Sequence, residues 1–306
     1  MRYALAALWL LAAPVRAEVR YASFFAPSLG REVAYAVDLP HAYADGARAY
    51  PVVYVLHGLF ESHAFWERRG LAEILAGLRA RSELPEIVVV AIDGGNSFFV
   101  NGPQGRYEDL VTRDLLGHVE ATYRVARGRG ARALLGVSMG GYAALRIAFK
   151  ESGLFAAVAA HSAMLLTKPP ARQDGAGRWH MDAFQRAFGD PIDAALWSAS
   201  DPLRLAQAAD AKTPPALWFD CGAQDRFGLF AGSQALHQAL DARGISHEFS
   251  LPPGDHGYEY VRTVLPRSLR FLASRLAADI VTGHDRHFRR PGIKVFNPFK
   301  EMRTSR

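Results

Sequence analysis

Short apolar runs alternate along the chain with longer stretches in which apolar residues return every three or four positions, and this alternation predicts β and α elements in turn. The runs at 19–25, 32–39, 52–57, 87–92, 132–137, 155–160, 216–221 and 246–251 read as strands. Helices are expected at 67–81, 108–123, 139–150, 229–242 and 258–276, where the spacing approaches 3.6 residues. Strands and helices in alternation imply an α/β chain, with a mostly parallel central sheet and helices on both faces. No helix separates the first two runs, and Pro27 and Gly30 frame a turn between them. An antiparallel N-terminal hairpin should therefore open the sheet.

The rhythm lapses between 163 and 215, where Pro169, Pro170, Gly175 and Gly177 mark irregular chain. That is long for a plain connection. Two readings stay open: a partly helical insertion, with short helices at 181–188 and 202–209, that caps the carboxyl edge of the sheet and shapes a pocket, or a purely structural excursion. At the N-terminus, Met1 and Arg2 precede an apolar run from Ala4 to Ala13, and Val15 and Ala17 approximate a small-x-small cleavage site. Residues 1–17 thus read as a signal peptide, which makes the mature protein secreted or periplasmic. The remaining 18–282 is expected to be one catalytic domain, followed by a tail at 283–306.

Charge modifies this picture in one place. Of the formal net charge of +6, a balance of +5 lies between His284 and Arg306, with seven Lys/Arg against two Asp/Glu. The domain is close to neutral, which argues against a nucleic-acid surface spread over the fold. The tail reads either as a disordered or surface-draped extension or as a contact for an anionic membrane or cell-surface polymer. Cys221 is the only cysteine, so no intramolecular disulfide forms, and its apolar surroundings read as core.

Candidate chemistry centres on Gly136, Val137, Ser138, Met139 and Gly140, a G-x-S-x-G pentapeptide between a strand and a helix. A serine at such a turn is a candidate nucleophile, and it needs a base oriented by a carboxylate. Asp225 follows the 216–221 strand at the functional edge of a parallel sheet, and His256 sits between the last strand and the last long helix. Asp220 lies inside a strand and Asp255 adjoins the histidine, so neither is well placed to orient it. His237, His247, His284 and His287 read as solvated or packed. His161 ends a strand and is a candidate to face the pocket. The backbone N–H groups of Met139 and Leu59 are candidate oxyanion donors, with Gly58 permitting close approach and His57 supporting the loop. Trp66 reads as a core aromatic. No metal or organic cofactor is required by this chemistry, and no His/Cys/Asp cluster with metal-ligand spacing is apparent along the chain.

Six pieces in order resemble one family: Leu56-His57-Gly58-Leu59 with Trp66, Asp93 to Phe98, Tyr107-Glu108 with Asp114-Leu115-Leu116, the 136–141 elbow, Cys221-Gly222 with Asp225, and Gly254-Asp255-His256. Together they look like the Putative esterase family of α/β-hydrolases, which contains tributyrin-type esterases, S-formylglutathione hydrolases, feruloyl esterases and antigen 85 mycolyltransferases. The resemblance runs from about residue 20 to 275. It implies the α/β-hydrolase fold, with Ser138, Asp225 and His256 as triad and Leu59 and Met139 as oxyanion donors. It also implies that the loop carrying Asp93 and Asn96 lies near the site, although a tight structural turn is the equal reading. Phe60, Asp93, Asn96 and His161 are the expected pocket residues.

These readings converge on a serine carboxylesterase acting through an acyl-enzyme on a small-molecule or sugar ester, with a short-chain acyl group or an acylated sugar as substrate. An acyltransferase to a sugar alcohol, an S-formylglutathione-type thioesterase and a non-catalytic binding module remain as alternatives.

Overall fold

The structure is a computed structural model that describes residues 19–277 apart from Asp45, 171–177 and Ala211. The signal-peptide reading of 1–17 and the basic tail at 283–306 lie outside the described residues.

Eight strands form the central sheet: β1 (Val19–Ala26), β2 (Arg31–Asp38), β3 (Val52–Leu56), β4 (Val88–Ile92), β5 (Arg132–Val137), β6 (Ala157–His161), β7 (Ala216–Asp220) and β8 (His247–Ser250). Their spatial order is β1-β2-β4-β3-β5-β6-β7-β8. The first two strands form the expected antiparallel hairpin, β2 is antiparallel to β4, and all later pairs are parallel.

Alternate residues of the buried strands feed two apolar layers. Val52, Tyr54 and Leu56 of β3 face one layer, and Val53 and Val55 face the other. The first layer is completed by the helical run 107–122 (α2), by α3 (Met139–Lys150) and by α7 (Phe230–Ala242). The second is completed by α1 (Leu71–Ala80) and α8 (Tyr258–Arg275). Among the described residues, no helix is long and apolar enough to cross a membrane.

Register brings the chemistry to one edge. Leu56 pairs with Ile92 and Gly136, and Val137, His161 and Asp220 lie side by side across β5, β6 and β7. The loops after these strands therefore leave the sheet at the same level. Chain order reverses between β3 and β5, the topological position at which open α/β sheets present a crevice.

Three details differ from the periodicity. The helix expected at 67–81 is divided, because Gly70 takes φ +73° between a short turn at Phe65–Arg68 and α1. The α2 run contains a π segment, Leu110–Leu115. Among its described residues, the insertion carries three helices, α4 (Arg178–Phe188), α5 (Ala194–Ser200) and α6 (Pro202–Ala208). The unpredicted α5 starts at Asp193, whose side chain accepts from the amides of Ala195 and Leu196 at 2.8 and 3.0 Å, an N-cap that the sequence did carry.

Candidate active site

Ser138 sits on the turn between β5 and α3 with φ +55°, a region that L-residues rarely occupy. Neighbouring glycines make the turn possible. A Cβ at Gly136 would lie 2.1 Å from the Gly140 carbonyl oxygen, and one at Gly140 would lie 2.0 Å from that of Leu56. Backbone bonds then hold the strain: the Ser138 amide donates to the His161 carbonyl at 2.9 Å, and the Ser138 carbonyl accepts from Tyr142 and Met164 at 2.9 and 3.0 Å.

His256 stands opposite. Its Nδ1 is 2.8 Å from Asp225 Oδ2, and its Nε2 is 3.1 Å from Ser138 Oγ. A carboxylate only accepts, so Nδ1 carries the proton and Nε2 offers a lone pair to the serine hydroxyl. Asp225 is fully buried at its side chain, and its Oδ1 accepts from the Phe227 amide at 2.9 Å. The Cys221 thiol lies 3.4 Å from Oδ2 as a further donor, and burial pushes that thiol's own pKa upward. For Asp225, burial acts to raise the carboxyl pKa, but the His256 contact and the Phe227 and Cys221 donors together bring it below the ordinary value. The site thus holds an ionised Asp225 at neutral pH. Asp255 acts on the backbone instead, accepting from the amides of Arg226 and His256 at 2.8 and 2.6 Å, and so joins the two loops.

On the other side of Ser138, a Cβ at Gly58 would stand 3.5 Å from the serine Cβ, so the Gly58-Leu59 backbone passes directly beside the hydroxyl. His57 is buried and supports this loop. Its Nε2 accepts from the Gly94 amide at 3.0 Å, which puts the proton on Nδ1, 2.7 Å from the Gly58 carbonyl. Burial lowers its pKa and keeps the ring neutral. Met139 opens α3, and its amide is one of the helix donors that have no intrahelical partner.

A cavity of about 190 Å³ opens at the serine. Phe60 lines it, whereas three other expected pocket residues do not. Asn96 lies behind the loop, where its Oδ1 accepts from the Phe60 amide at 2.7 Å. Asp93 accepts from Gly95 at 3.0 Å and lies 3.6 Å from His63. His161 is corrected outright. Its position in β6 shares the parity of Ala157 and Ala159, which face α8, so its ring is buried between Asp220 (2.8 Å) and Ser268 (2.9 Å).

Sequence reasoning missed Phe227 and Tyr258, which line the cavity two residues beyond Asp225 and His256. Burial pushes the Tyr258 phenol up to about 12, so it stays a neutral hydroxyl. Met164 also lines the cavity, but the described insertion helices do not. They pack against α3 and the loop after β4 instead: Tyr142 of α3 donates to the Ser200 carbonyl at 2.6 Å, and Phe184 stacks on Phe98 of that loop with ring centroids 4.7 Å apart. Three of the six non-glycine residues with positive φ among the described residues, Phe60, Ser138 and Ser162, line this one cavity, a concentration of strain typical of functional sites.

The strand order, with a serine on the turn after β5 and its two partners after β7 and β8, defines an α/β-hydrolase. Within that class, the chain belongs to the Putative esterase family, whose description matches residues 26–272. Esterase Rv1288 of Mycobacterium tuberculosis (strain ATCC 25618 / H37Rv) is 29% identical over 265 residues, which take in 77% of this chain and 55% of that protein. S-formylglutathione hydrolase of Paracoccus denitrificans (strain Pd 1222) is 29% identical over 149 residues, 48% of this chain and 50% of that protein. The chain spans about half the length of these curated relatives. Among solved structures, a ferulic acid esterase superposes with a TM-score of 0.72 at 25% identity, covering 85% of this chain and 98% of that one.

Proposed function

We propose that this protein is a serine carboxylesterase that hydrolyses esters through an acyl-enzyme at Ser138. The observation that carries the reading is the relay from Asp225 Oδ2 to His256 Nδ1 at 2.8 Å and from His256 Nε2 to Ser138 Oγ at 3.1 Å, mounted on a strained turn at a cavity mouth. As the serine attacks the ester carbonyl, His256 takes its proton at Nε2. Asp225 holds the tautomer and stabilises the imidazolium that forms. The amides of Leu59 and Met139 would receive the oxyanion, and the N-terminal end of α3 adds a positive field there. His256 then protonates the leaving alcohol, and a water activated by the same nitrogen releases the acid.

Phe60, Met164, Phe227, Tyr258 and Val261 give the cavity an apolar wall, which suits a compact acyl group, while its open mouth leaves room for a larger alcohol such as a sugar. Membership in an esterase family and similarity to a ferulic acid esterase support ester hydrolysis over a non-catalytic role. Export, read from residues 1–17, would give the enzyme extracellular esters as substrates.

Ser138→Ala should lower hydrolysis of p-nitrophenyl butyrate by about 10⁴-fold or more and abolish labelling by a fluorophosphonate, with an unchanged circular dichroism spectrum. Labelling that persists in the variant would place the nucleophile elsewhere. An acyl donor offered together with sugars should give free acid; transfer of the acyl group to sugar would identify an acyltransferase.

A further inference from the structure

The structure assembles a second chemical cluster far from Ser138 in the chain. His237 and Asp241 stand one turn apart on α7, and His247 begins β8 beside them. One ligand atom from each residue can be chosen so that all three lie within 4.8 Å of one another. We propose that these residues bind a divalent transition metal ion of the zinc type, with water completing the coordination, and that the ion staples the end of α7 to β8.

The pattern of hydrogen bonds points to a cation. His247 Nδ1 lies 2.8 Å from the Ile245 carbonyl and must donate to it, which leaves Nε2 as a lone pair. His237 Nδ1 is 2.7 Å from that lone pair and must also donate. The remaining nitrogen of His237 faces Asp241 Oδ2 at 3.4 Å, a second acceptor. The His237 ring thus stands between the His247 lone pair and the Asp241 carboxylate, so three groups able to ligate converge on one point. A metal ion in their midst would engage an electron pair from each of them.

The same bonds prepare the ligands. An imidazole that donates its other N–H to a backbone carbonyl is held in the correct tautomer for metal binding, and His247 has that arrangement already. Aromatic rings hold both imidazoles: His247 stacks on Phe219 at 5.5 Å, and His237 stacks on Phe249 at 4.7 Å. Tetrahedral zinc with Zn–N bonds of about 2.0–2.1 Å requires ligand nitrogens about 3.3 Å apart, so the imidazoles need to separate by only about half an ångström. The His247 ring is nearly enclosed, whereas Asp241 and part of His237 face solvent, which leaves room for a water ligand. Two nitrogens and one carboxylate oxygen suit zinc better than magnesium or calcium, which prefer oxygen. Sequence spacing concealed the site, because a ten-residue interval across a helix and a strand resembles no metal motif, and both histidines read as merely packed or solvated.

The test is isothermal titration of the chelator-treated full chain with zinc chloride, alongside His237→Ala and Asp241→Asn, two substitutions at solvent-facing positions that leave the stack of His247 on Phe219 in place. The wild type should take up one zinc ion at micromolar concentration and gain about 3 °C or more in melting temperature with excess zinc. Both variants should keep the wild-type circular dichroism spectrum, lose affinity at least tenfold and lose the thermal gain. Cobalt(II) in place of zinc should give the intense visible bands of a four-coordinate site in the wild type and not in His237→Ala. Absence of binding at micromolar zinc, or undiminished binding and thermal gain in the variants, would overturn the proposal.

Discussion

At Asp225, burial and hydrogen bonding oppose each other, and hydrogen bonding prevails, so the folded carboxyl titrates below its ordinary value. The sign follows: the depressed value adds stability that is fully present above the unfolded value of about 4 and is lost as pH falls through the folded one. Replacing Asp225 with Asn should reduce the loss of melting temperature between pH 5 and pH 3. The same substitution should lower kcat by about 10³–10⁴-fold, because the imidazole loses the acceptor that fixes its tautomer. Gly140→Ala tests the turn itself. Its Cβ would meet the Leu56 carbonyl oxygen, so the urea midpoint should fall by the equivalent of about 3 kcal/mol or more. Ser138, Asp225 and His256 were legible as candidates because the roles proposed for them demand particular residue types at particular strand ends. His161 also ends a strand, but its parity with Ala157 and Ala159, available in the sequence, turns it away from the pocket. Phe227 and Tyr258 carried no such signal, since an aromatic residue near a loop reads equally well as core.

Elements meet through one buried charge cluster that periodicity could not show. Arg146 of α3 is fully buried, and it pairs with Glu108 of α2 and donates to the Phe99 carbonyl. Lys150, one turn further along α3, adds a bond to Glu108 at 2.9 Å. This cluster ties α2 and α3 together behind the serine turn. Glu108→Ala strands the Arg146 charge and should cost about 3–5 kcal/mol in chemical unfolding, whereas Glu108→Leu combined with Arg146→Met should cost much less. Equal losses in the two variants would show that packing, rather than charge, dominates there. Strand existence was clear from the short apolar runs, and so was the hairpin. The break at Gly70 was harder to see, because an isolated glycine is tolerated within a helical pattern, and only the backbone shows that this one takes a left-handed conformation.

On the scale of the whole molecule, the two apolar layers and the edge that carries Ser138 are built from residues between 19 and 277. Deleting 283–306 should therefore leave ester hydrolysis unchanged, while retention on vesicles rich in anionic lipid should fall if the tail supplies the basic contact. Unchanged retention would assign the tail to a surface-draped extension. The topology was largely predictable, since alternating elements admit few sheets, but the placement of the insertion along α3 depended on side-chain packing with no linear signature. One consequence concerns the order in which the molecule fails. His256 is carried on the loop after β8, a four-residue, partly exposed strand that among the described residues pairs with β7 alone, whereas Ser138 directly follows β5 in the covered centre of the sheet. Regions with few covering contacts open before the global transition. Fraying of that border would part His256 from Ser138 while most helices persist, so catalytic activity should vanish at a lower urea concentration than the far-ultraviolet signal, and the protein would be inactivated before it is unfolded.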